Sequence, residues 1–208
     1  MKVLGVIPAR GGSKRLPKKN LLELGGKPLV KWTLDTAIQS GVFDHLYVST
    51  EDHEIGAVAG EYWWKRTSEL AKDTSSTMSV LLDIVSRHNV DVTCILQPTS
   101  PFRTVEDIKN SLSMLKEYQA DSVISTTDAP SDLAFQVRWA NRLESLPNIV
   151  VPNGALYWLT TKALDRGETW YSGRVYGYPM PKDRSIDIDT EADLEIARHL
   201  LRIVNGQC

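Results

Sequence analysis

The sequence predicts an α/β fold in which a mostly parallel sheet carries helices on both faces. Two observations predict it. Apolar runs of strand length alternate with segments of helical periodicity, and the strand candidates are apolar throughout, as strands buried on both faces are. Parallel neighbours need crossover connections, which place the helices on the faces of the sheet. The 208 residues suit one domain with a single core.

The first part of the chain supplies most of this alternation. Strands are indicated by KVLGVIP, HLYVST, VTCILQ and SVISTT. Helical spacing occupies the segments between them, which are PLVKWTLDTAIQSG, residues 51–63, residues 77–88 and TVEDIKNSLSMLKEY. Gly41 is expected to end the first helix, and Thr104 with Asp107 has the spacing of a capping box at the start of the fourth.

The pattern changes after residue 128. AFQVRWANRLESLP has the form of a hairpin, ALYWLTT and RVYGYPM are further strand candidates, and residues 190–204 have helical spacing. We therefore expect one domain over residues 1–208, with a small β-rich insertion at about 128–180. The exposed strand edges of such an insertion could pair with a second subunit.

Composition and charge argue against several classes of function. The net charge of −2 provides no general attraction to nucleic acid or to membranes. Cys94 and Cys208 form neither a CxxC pair nor a disulfide framework, which favours a reducing compartment. The apolar stretch at the N-terminus is too short for a signal peptide or a membrane span. We expect a cytoplasmic protein with no nucleic-acid or membrane partner.

The turn after the first strand carries the clearest local signal. In an open α/β sheet, ligands bind beyond the carboxyl ends of the strands, and residues 9–20 follow KVLGVIP directly. Gly11 and Gly12 allow backbone N–H groups to face a ligand. Basic side chains surround them, namely Arg10, Lys14, Arg15, Lys18 and Lys19. A bound polyphosphate explains this arrangement most simply; a solvated basic loop is the alternative, and neither a Walker A motif nor a dinucleotide fingerprint is present.

SIDIDTEADL places Asp187 and Asp189 two residues apart. In an extended segment, both carboxylates point to one face. Such a pair suits a hard divalent cation, and Mg²⁺ commonly bridges protein carboxylates and phosphates. The structural alternative is that Asp189 or Thr190 caps the final helix. We expect Mg²⁺, or Mn²⁺, on this pair beside the polyphosphate site.

IPARGGSKRLPKKNL resembles the N-terminal signature of the sugar-activating cytidylyltransferases, and is most similar to that of the CMP-N-acylneuraminate synthetases. Four further segments match in the same order along the chain: SELAKDTSST, LQPTSPFR, PNGALYW and SIDIDTEADL. The resemblance implies a Rossmann-like fold of the nucleotide-diphospho-sugar transferase type. It also implies CTP as a substrate, a catalytic divalent metal and a homodimer.

The resemblance further implies a role for each matching residue. Catalysis would depend on Arg10, Lys14, Asp187 and Asp189, with the metal on the two aspartates. The nucleotide would be held by Arg10, Gly11, Gly12, Ser13, Lys14, Lys19, Asn20, Arg66 and Thr77. The acceptor sugar would be held by Gln97, Thr99, Ser100, Arg103 and Asn153.

The expected reaction joins CMP to an α-keto acid sugar of the sialic, legionaminic or pseudaminic type. The anomeric hydroxyl attacks the α-phosphorus of CTP, and pyrophosphate leaves. Two alternatives stay open: the same chemistry on Kdo or an amino-Kdo, and a nucleotide-sugar-binding protein without catalysis. The second alternative rests on the segments that would hold the acceptor sugar. Val151 stands where related sequences often carry an arginine, and TTDAPSDLAF lacks any basic residue.

Overall fold

The centre of the molecule is a seven-stranded sheet in the computed structural model, which describes residues 1–129 and 150–204. Its strands are β1 (Val3–Pro8), β4 (His45–Thr50), β5 (Trp63–Lys65), β6 (Val92–Leu96), β7 (Ser122–Asp128), β8 (Val150–Thr160) and β9 (Val175–Pro179). Their order across the sheet is β5-β4-β1-β6-β8-β7-β9. A separate antiparallel ribbon pairs β2 (Glu23–Leu24) with β3 (Lys27–Pro28).

The sheet is mostly parallel, as predicted. β1 pairs in parallel with β4 and β6, β4 with β5, and β7 with β9. Among the seven strands of this sheet, β8 alone runs against its neighbours, pairing antiparallel with both β6 and β7. The start of β8 therefore lies at the same edge of the sheet as the ends of the other strands. Ligands of open α/β sheets bind at that edge.

Six helices are described: α1 (Leu29–Ser40), α2 (His53–Ala59), α3 (Thr77–Val85), α4 (Val105–Glu117), α5 (Thr161–Asp165) and α6 (Glu191–Val204). Local signals determine several of their ends. Gly41 has a φ of 64° and ends α1, as expected from its freedom to adopt left-handed backbone. Thr104 and Asp107 form the predicted capping box at the start of α4.

Residues 51–63 were expected to form one helix, but α2 ends at Ala59 and Trp63 begins the edge strand β5. Gly60, with a φ of 59°, breaks the helix because this conformation is incompatible with its continuation. The Trp63 ring then lies against Gly56, where a side chain would collide with it, and the indole N–H donates to the Thr50 carbonyl at 3.1 Å. The helix prediction was therefore too long because tertiary packing of the tryptophan favours a strand.

The two strand candidates expected within a β-rich insertion lie in the main sheet instead. β8 is an interior strand between β6 and β7, and β9 forms the edge beyond β7. The segment AFQVRWANRLESLP, for which a hairpin was predicted, lies outside the described residues. The use of the 128–180 stretch for dimerisation stays a prediction.

The core lies on both faces of the sheet because alternate side chains of a strand point to opposite sides. In β1, Val3 and Ile7 pack on the face covered by α1, α2 and α4, while Leu4 and Val6 pack against α3. Trp158 of β8 is fully buried, and its indole N–H donates to the Ser111 hydroxyl at 2.8 Å. Within residues 1–129 and 150–204, no helix combines the length and the apolar character that crossing a bilayer requires.

Candidate active site

The basic loop, residues 9–20, lies at the carboxyl end of β1, as predicted, and contacts with neighbouring elements determine its shape. We expected the Gly11 N–H to face a ligand. In the structure it donates instead to Glu51 Oε1 at 2.8 Å. A side chain at Gly11 would lie 2.5 Å from Asp52 Oδ2, which explains the glycine. Asn20 is buried, and its amide donates to the Arg10 carbonyl at 2.9 Å. Asn20 therefore positions the loop, and its contact with the nucleotide stays a prediction.

Four cations of this loop face one cavity, which we call the phosphate cavity. Its volume is about 380 Å³, and it is lined by Arg10, Ser13, Lys14, Arg15, Lys19, Asp73 and Asp189. Asp73 pairs with Arg10 at 2.6 Å and with Lys14 at 2.5 Å. The four cationic and two anionic side chains leave an excess of positive charge, which suits a ligand with several negative charges.

Asp189 connects the far end of the chain to this loop. Its carboxylate pairs with Arg15 at 2.7 Å and with Lys19 at 2.7 Å. Partial burial disfavours ionisation, but the hydrogen bond and charge of Lys19, followed by those of Arg15, outweigh it and lower the pKa of Asp189. Asp189 therefore shares one cavity with Arg10 and Lys14, whereas Asp187, which was predicted to join them, does not line this cavity.

An adjoining cavity, here called the nucleoside cavity, has a volume of about 270 Å³. It is lined by Pro8, Arg10, Arg66, Leu70, Lys72, Asp73, Ser75, Thr77, Val80 and Gln97. Arg66 is buried and donates to the Ser49 carbonyl at 2.6 Å, and burial lowers the pKa of its guanidinium. Arg10 and Asp73 line both cavities, so the two are continuous at that point. Gln97, which we assigned to the sugar, lies here with Arg66 and Thr77.

A third cavity, the acceptor cavity, has a volume of about 490 Å³. It is lined by Thr127, Asp128, Val151, Pro152, Asn153, Gly154, Tyr157, Lys182, Ser185 and Asp187. Asn153 lies here as predicted, but its amide is occupied within the protein. Its Oδ1 accepts from the Ser125 hydroxyl at 2.6 Å, and its Nδ2 donates to the Ser185 hydroxyl at 2.8 Å. Asn153 therefore also positions the segment that precedes Asp187.

Arg103 does not line any of these three cavities, and its contact with substrate stays a prediction. The side chain is 2% exposed. Its guanidinium donates to the Ala155 carbonyl at 3.0 Å, to the Thr33 hydroxyl at 3.2 Å and to the Gln97 carbonyl at 2.7 Å. Burial lowers the pKa of Arg103 to about 10, so it stays charged at neutral pH. Arg103 joins β8, α1 and the end of β6 from within the core.

Thr99 and Ser100, also predicted at the sugar, lie beside the segment that carries Asp187 and Asp189. Thr99 is buried, and its carbonyl accepts from the Ile188 N–H at 2.9 Å. Reduced hydration raises the pKa of the Asp187 carboxyl, and a hydrogen bond from the Thr99 hydroxyl partly offsets that rise. Ser100 is completely buried, and its hydroxyl has no hydrogen-bond partner in the part of the chain that the structure describes. A Cβ on Gly154 would lie 3.6 Å from that hydroxyl and 3.5 Å from Asp187 Oδ2, so this small glycine separates the two.

The segment carrying Asp187 and Asp189 is held at several points. The guanidinium of Arg184 donates to the buried Asp107 at 2.8 Å, which ties the segment to the first turn of α4. At the other end, Thr190 and Asp193 exchange hydrogen bonds in the pattern of a capping box for α6. Thr190 is therefore the cap, and Asp189 is left to pair with Lys19 and Arg15.

Comparison with known proteins identifies the family of this chain. A family profile described as "Cytidylyltransferase" matches residues 4–148. The chain belongs to the cytidylyltransferase family. This cytidylyltransferase is 32% identical to the CMP-N,N'-diacetyllegionaminic acid synthase of Legionella pneumophila, over 98% of this chain and 97% of that protein. It is 30% identical to a pseudaminic acid cytidylyltransferase of Campylobacter jejuni, over 98% of this chain and 97% of that protein.

Other relatives are longer, and solved structures confirm the fold. An N-acylneuraminate cytidylyltransferase of Streptococcus agalactiae is 32% identical over 96% of this chain, which spans 54% of that protein. A CMP:2-keto-3-deoxy-manno-octonic acid synthetase, solved in complex with CTP, superposes with a TM-score of 0.79. That match covers 98% of this chain and 100% of the synthetase at 18% identity, so it shows the shared fold. The cytidylyltransferase is thus a nucleotidyltransferase with the predicted nucleotide-sugar transferase architecture.

Asp187 and Asp189 are the carboxylates on which a magnesium ion was predicted, and that metal stays a prediction. No cluster of three or more acidic, histidine or cysteine ligands is present among the described residues, so a bound ion would have only this pair as side-chain ligands. Mg²⁺ is commonly held by one or two carboxylates and completed by phosphate oxygens and water. Although Asp187 reaches the surface of the acceptor cavity, reduced hydration raises its pKa, and the negative charge of Asp189 adds to the effect. A cation bound at Asp187 would offset both its reduced hydration and its repulsion by Asp189.

Some residues that line the cavities were not predicted from the sequence. Asp73 and Tyr157 belong to two segments of the family resemblance, SELAKDTSST and PNGALYW, so that resemblance could have indicated them. Lys182 lies three residues before SIDIDTEADL and Ser185 is the first residue of that segment, and neither carries a local signal. Conversely, Lys18 of the basic loop pairs with Glu54 at 2.8 Å and does not line the phosphate cavity.

Proposed function

We propose that the protein transfers CMP from CTP to an α-keto acid sugar of the sialic, legionaminic or pseudaminic type. One observation carries the proposal. The phosphate cavity, with its four cations and Asp189, adjoins the nucleoside cavity through Arg10, and the acceptor cavity lies at the same segment through Asp187. Family membership and two relatives of nearly equal length, named for legionaminic and pseudaminic acid chemistry, support the choice of sugar.

The arrangement suggests how CTP is aligned. The cytidine would enter the nucleoside cavity, where Arg66, Thr77 and Gln97 present polar groups. The triphosphate would then extend along Arg10 and Lys14, whose cations stabilise the charge that builds up on the departing pyrophosphate. Such reactions depend chiefly on alignment and on charge stabilisation, so no covalent nucleophile is assigned.

The acceptor would occupy the cavity lined by Asn153 and Tyr157, with its anomeric hydroxyl directed towards Asp187. Asp187 and Asp189 would hold Mg²⁺, which when bound neutralises phosphate charge and polarises the α-phosphate. The Arg184–Asp107 ion pair and the Asn153–Ser185 hydrogen bond keep this segment in place between the two substrates.

A panel of sugar acids tests the proposal. The protein is incubated with CTP, MgCl₂ and, in separate reactions, N-acetylneuraminate, N,N'-diacetyllegionaminate, pseudaminate or Kdo, and the CMP conjugate is identified by mass. We expect a conjugate with at least one nine-carbon acid and none after EDTA removes the metal. A conjugate with Kdo alone would transfer the protein to the eight-carbon sugar class. CTP binding without any conjugate would favour a binding protein without catalysis.

Asp73 is expected to compete with the phosphates of the substrate. Its carboxylate occupies both Arg10 and Lys14, and the hydrogen bond from Lys14 lowers its pKa, so it is ionised at neutral pH. In Asp73→Asn the two cations should be available to an incoming anion. Because exposed ion pairs are weak, we expect pyrophosphate to bind only about threefold to fivefold more tightly, measured by calorimetry. Asp165→Asn, an exposed aspartate on α5, serves as the control, and weaker pyrophosphate binding in Asp73→Asn would contradict this role.

A further inference from the structure

The acceptor that we propose carries a carboxylate next to its anomeric carbon, and the protein needs a cation to receive it. Among the described residues that line the acceptor cavity, Lys182 is the only one with a cationic side chain. We infer that the ammonium group of Lys182 binds the carboxylate of the acceptor sugar. This inference rests on the proposed function and assigns to the reaction a residue that determines which sugars are accepted.

Within the described part of the chain, the other cationic side chains near the site are already paired with a carboxylate or buried. Lys19 and Arg15 pair with Asp189, and Arg184 pairs with the buried Asp107. Arg103 is enclosed in the core. Lys182, in contrast, is exposed and makes no ion pair within residues 1–129 and 150–204. Its ammonium group is therefore available to an anionic ligand.

The backbone at Lys182 is held so that the side chain stays at the cavity. Lys182 begins a short 3₁₀ turn that ends at Arg184, and the Arg184 guanidinium is anchored on Asp107 at 2.8 Å. The next residue, Ser185, donates to the Pro181 carbonyl at 2.8 Å and accepts from Asn153. Anchors on both sides of the turn reduce the conformational entropy that a lysine on a free loop would lose on binding.

The charges of the cavity make a cation necessary for an anionic acceptor. Asp128 and Asp187 both line it and would repel the sugar carboxylate. Val151, on the wall of the same cavity, provides an apolar surface. The hydroxyl of Thr127 is buried in the cavity wall and has no hydrogen-bond partner within residues 1–129 and 150–204, so it could donate to a bound acid or hydroxyl group. Lys182 supplies the charge that these groups lack.

The test compares Lys182→Met with the wild-type enzyme under steady-state conditions. With CTP saturating, we expect the KM for the accepted sugar acid to rise by about 10- to 100-fold, the range for losing a hydrogen bond between charged groups. The KM for CTP should change by less than about twofold, since Lys182 lies outside the nucleoside and phosphate cavities. Lys182→Arg keeps the charge and should recover most of the loss.

Two controls separate this role from a structural one. Lys162→Met removes an exposed lysine of α5, at the opposite edge of the sheet, and should leave both KM values unchanged. The methyl ester of the sugar acid should be a poor acceptor for the wild type, and Lys182→Met should discriminate much less between acid and ester. An unchanged KM for the acid in an otherwise active Lys182→Met enzyme would overturn the inference and leave the proposed function intact. A wild-type enzyme inactive on every α-keto acid sugar would overturn both.

Discussion

Replacing Arg10 with alanine is expected to lower turnover of CTP by about 10²- to 10³-fold while the protein stays folded. Arg10 lines both the nucleoside and the phosphate cavities, and in this structure its guanidinium is paired only with the exposed Asp73 among the described residues. It is therefore placed to contact the triphosphate where charge develops as pyrophosphate leaves. Pyrophosphate release at saturating CTP and sugar measures the effect, with the melting temperature as a check on folding.

Lys18 offers a matched control in the same loop. It carries the same charge, but its ammonium pairs with Glu54 and lies outside the phosphate cavity. Lys18→Gln should therefore retain turnover to within about threefold, because exposed ion pairs contribute little. If Arg10→Ala and Lys18→Gln were equally active, the loop would act through its overall charge alone, and the assignment of Arg10 to the phosphates would be wrong.

Replacing Arg103 with alanine is expected to unfold the protein at much lower temperature rather than to slow catalysis in a stable enzyme. The change removes three hydrogen bonds, leaves buried acceptors such as the Ala155 and Gln97 carbonyls without this donor, and opens a cavity in the core. We expect a loss of about 3 kcal/mol in the free energy of unfolding. For a chain of this length, the melting temperature should fall by about 6–12 °C.

Arg202, an exposed arginine of α6, provides the comparison for Arg103. Arg202→Ala should change the melting temperature by no more than about 1–2 °C. Calorimetry or circular dichroism measures both variants. A stable Arg103→Ala protein with a raised KM for the sugar would instead support the substrate contact that the sequence motif implied.

Much of the fold could be predicted because its signals are local. Apolar runs identified β1, β4, β6 and β7, and Gly41 and the Thr104–Asp107 capping box identified helix ends. Each of these signals depends on neighbours within a few residues. The error at 51–63 arose where packing of Trp63 against Gly56 overrode helical spacing.

The site could be predicted less completely, because direction matters as much as position. The residue types of the basic loop and of LQPTSPFR identified which segments meet at the sheet edge. They did not reveal that Arg103 turns inward to three acceptors, or that Gly11 donates to Glu51. The orientation of a side chain depends on partners that come from distant segments.

By itself the sequence determined the α/β class, the family signature and the two charged segments that mark the site. Only the tertiary structure decided which charges meet: Asp189 lies 174 residues from Arg15, and Asp73 lies 63 residues from Arg10. The physical reason is that ion pairs depend on distance in space. Strands that are far apart along the chain end at one edge of the sheet, and their loops are brought together there.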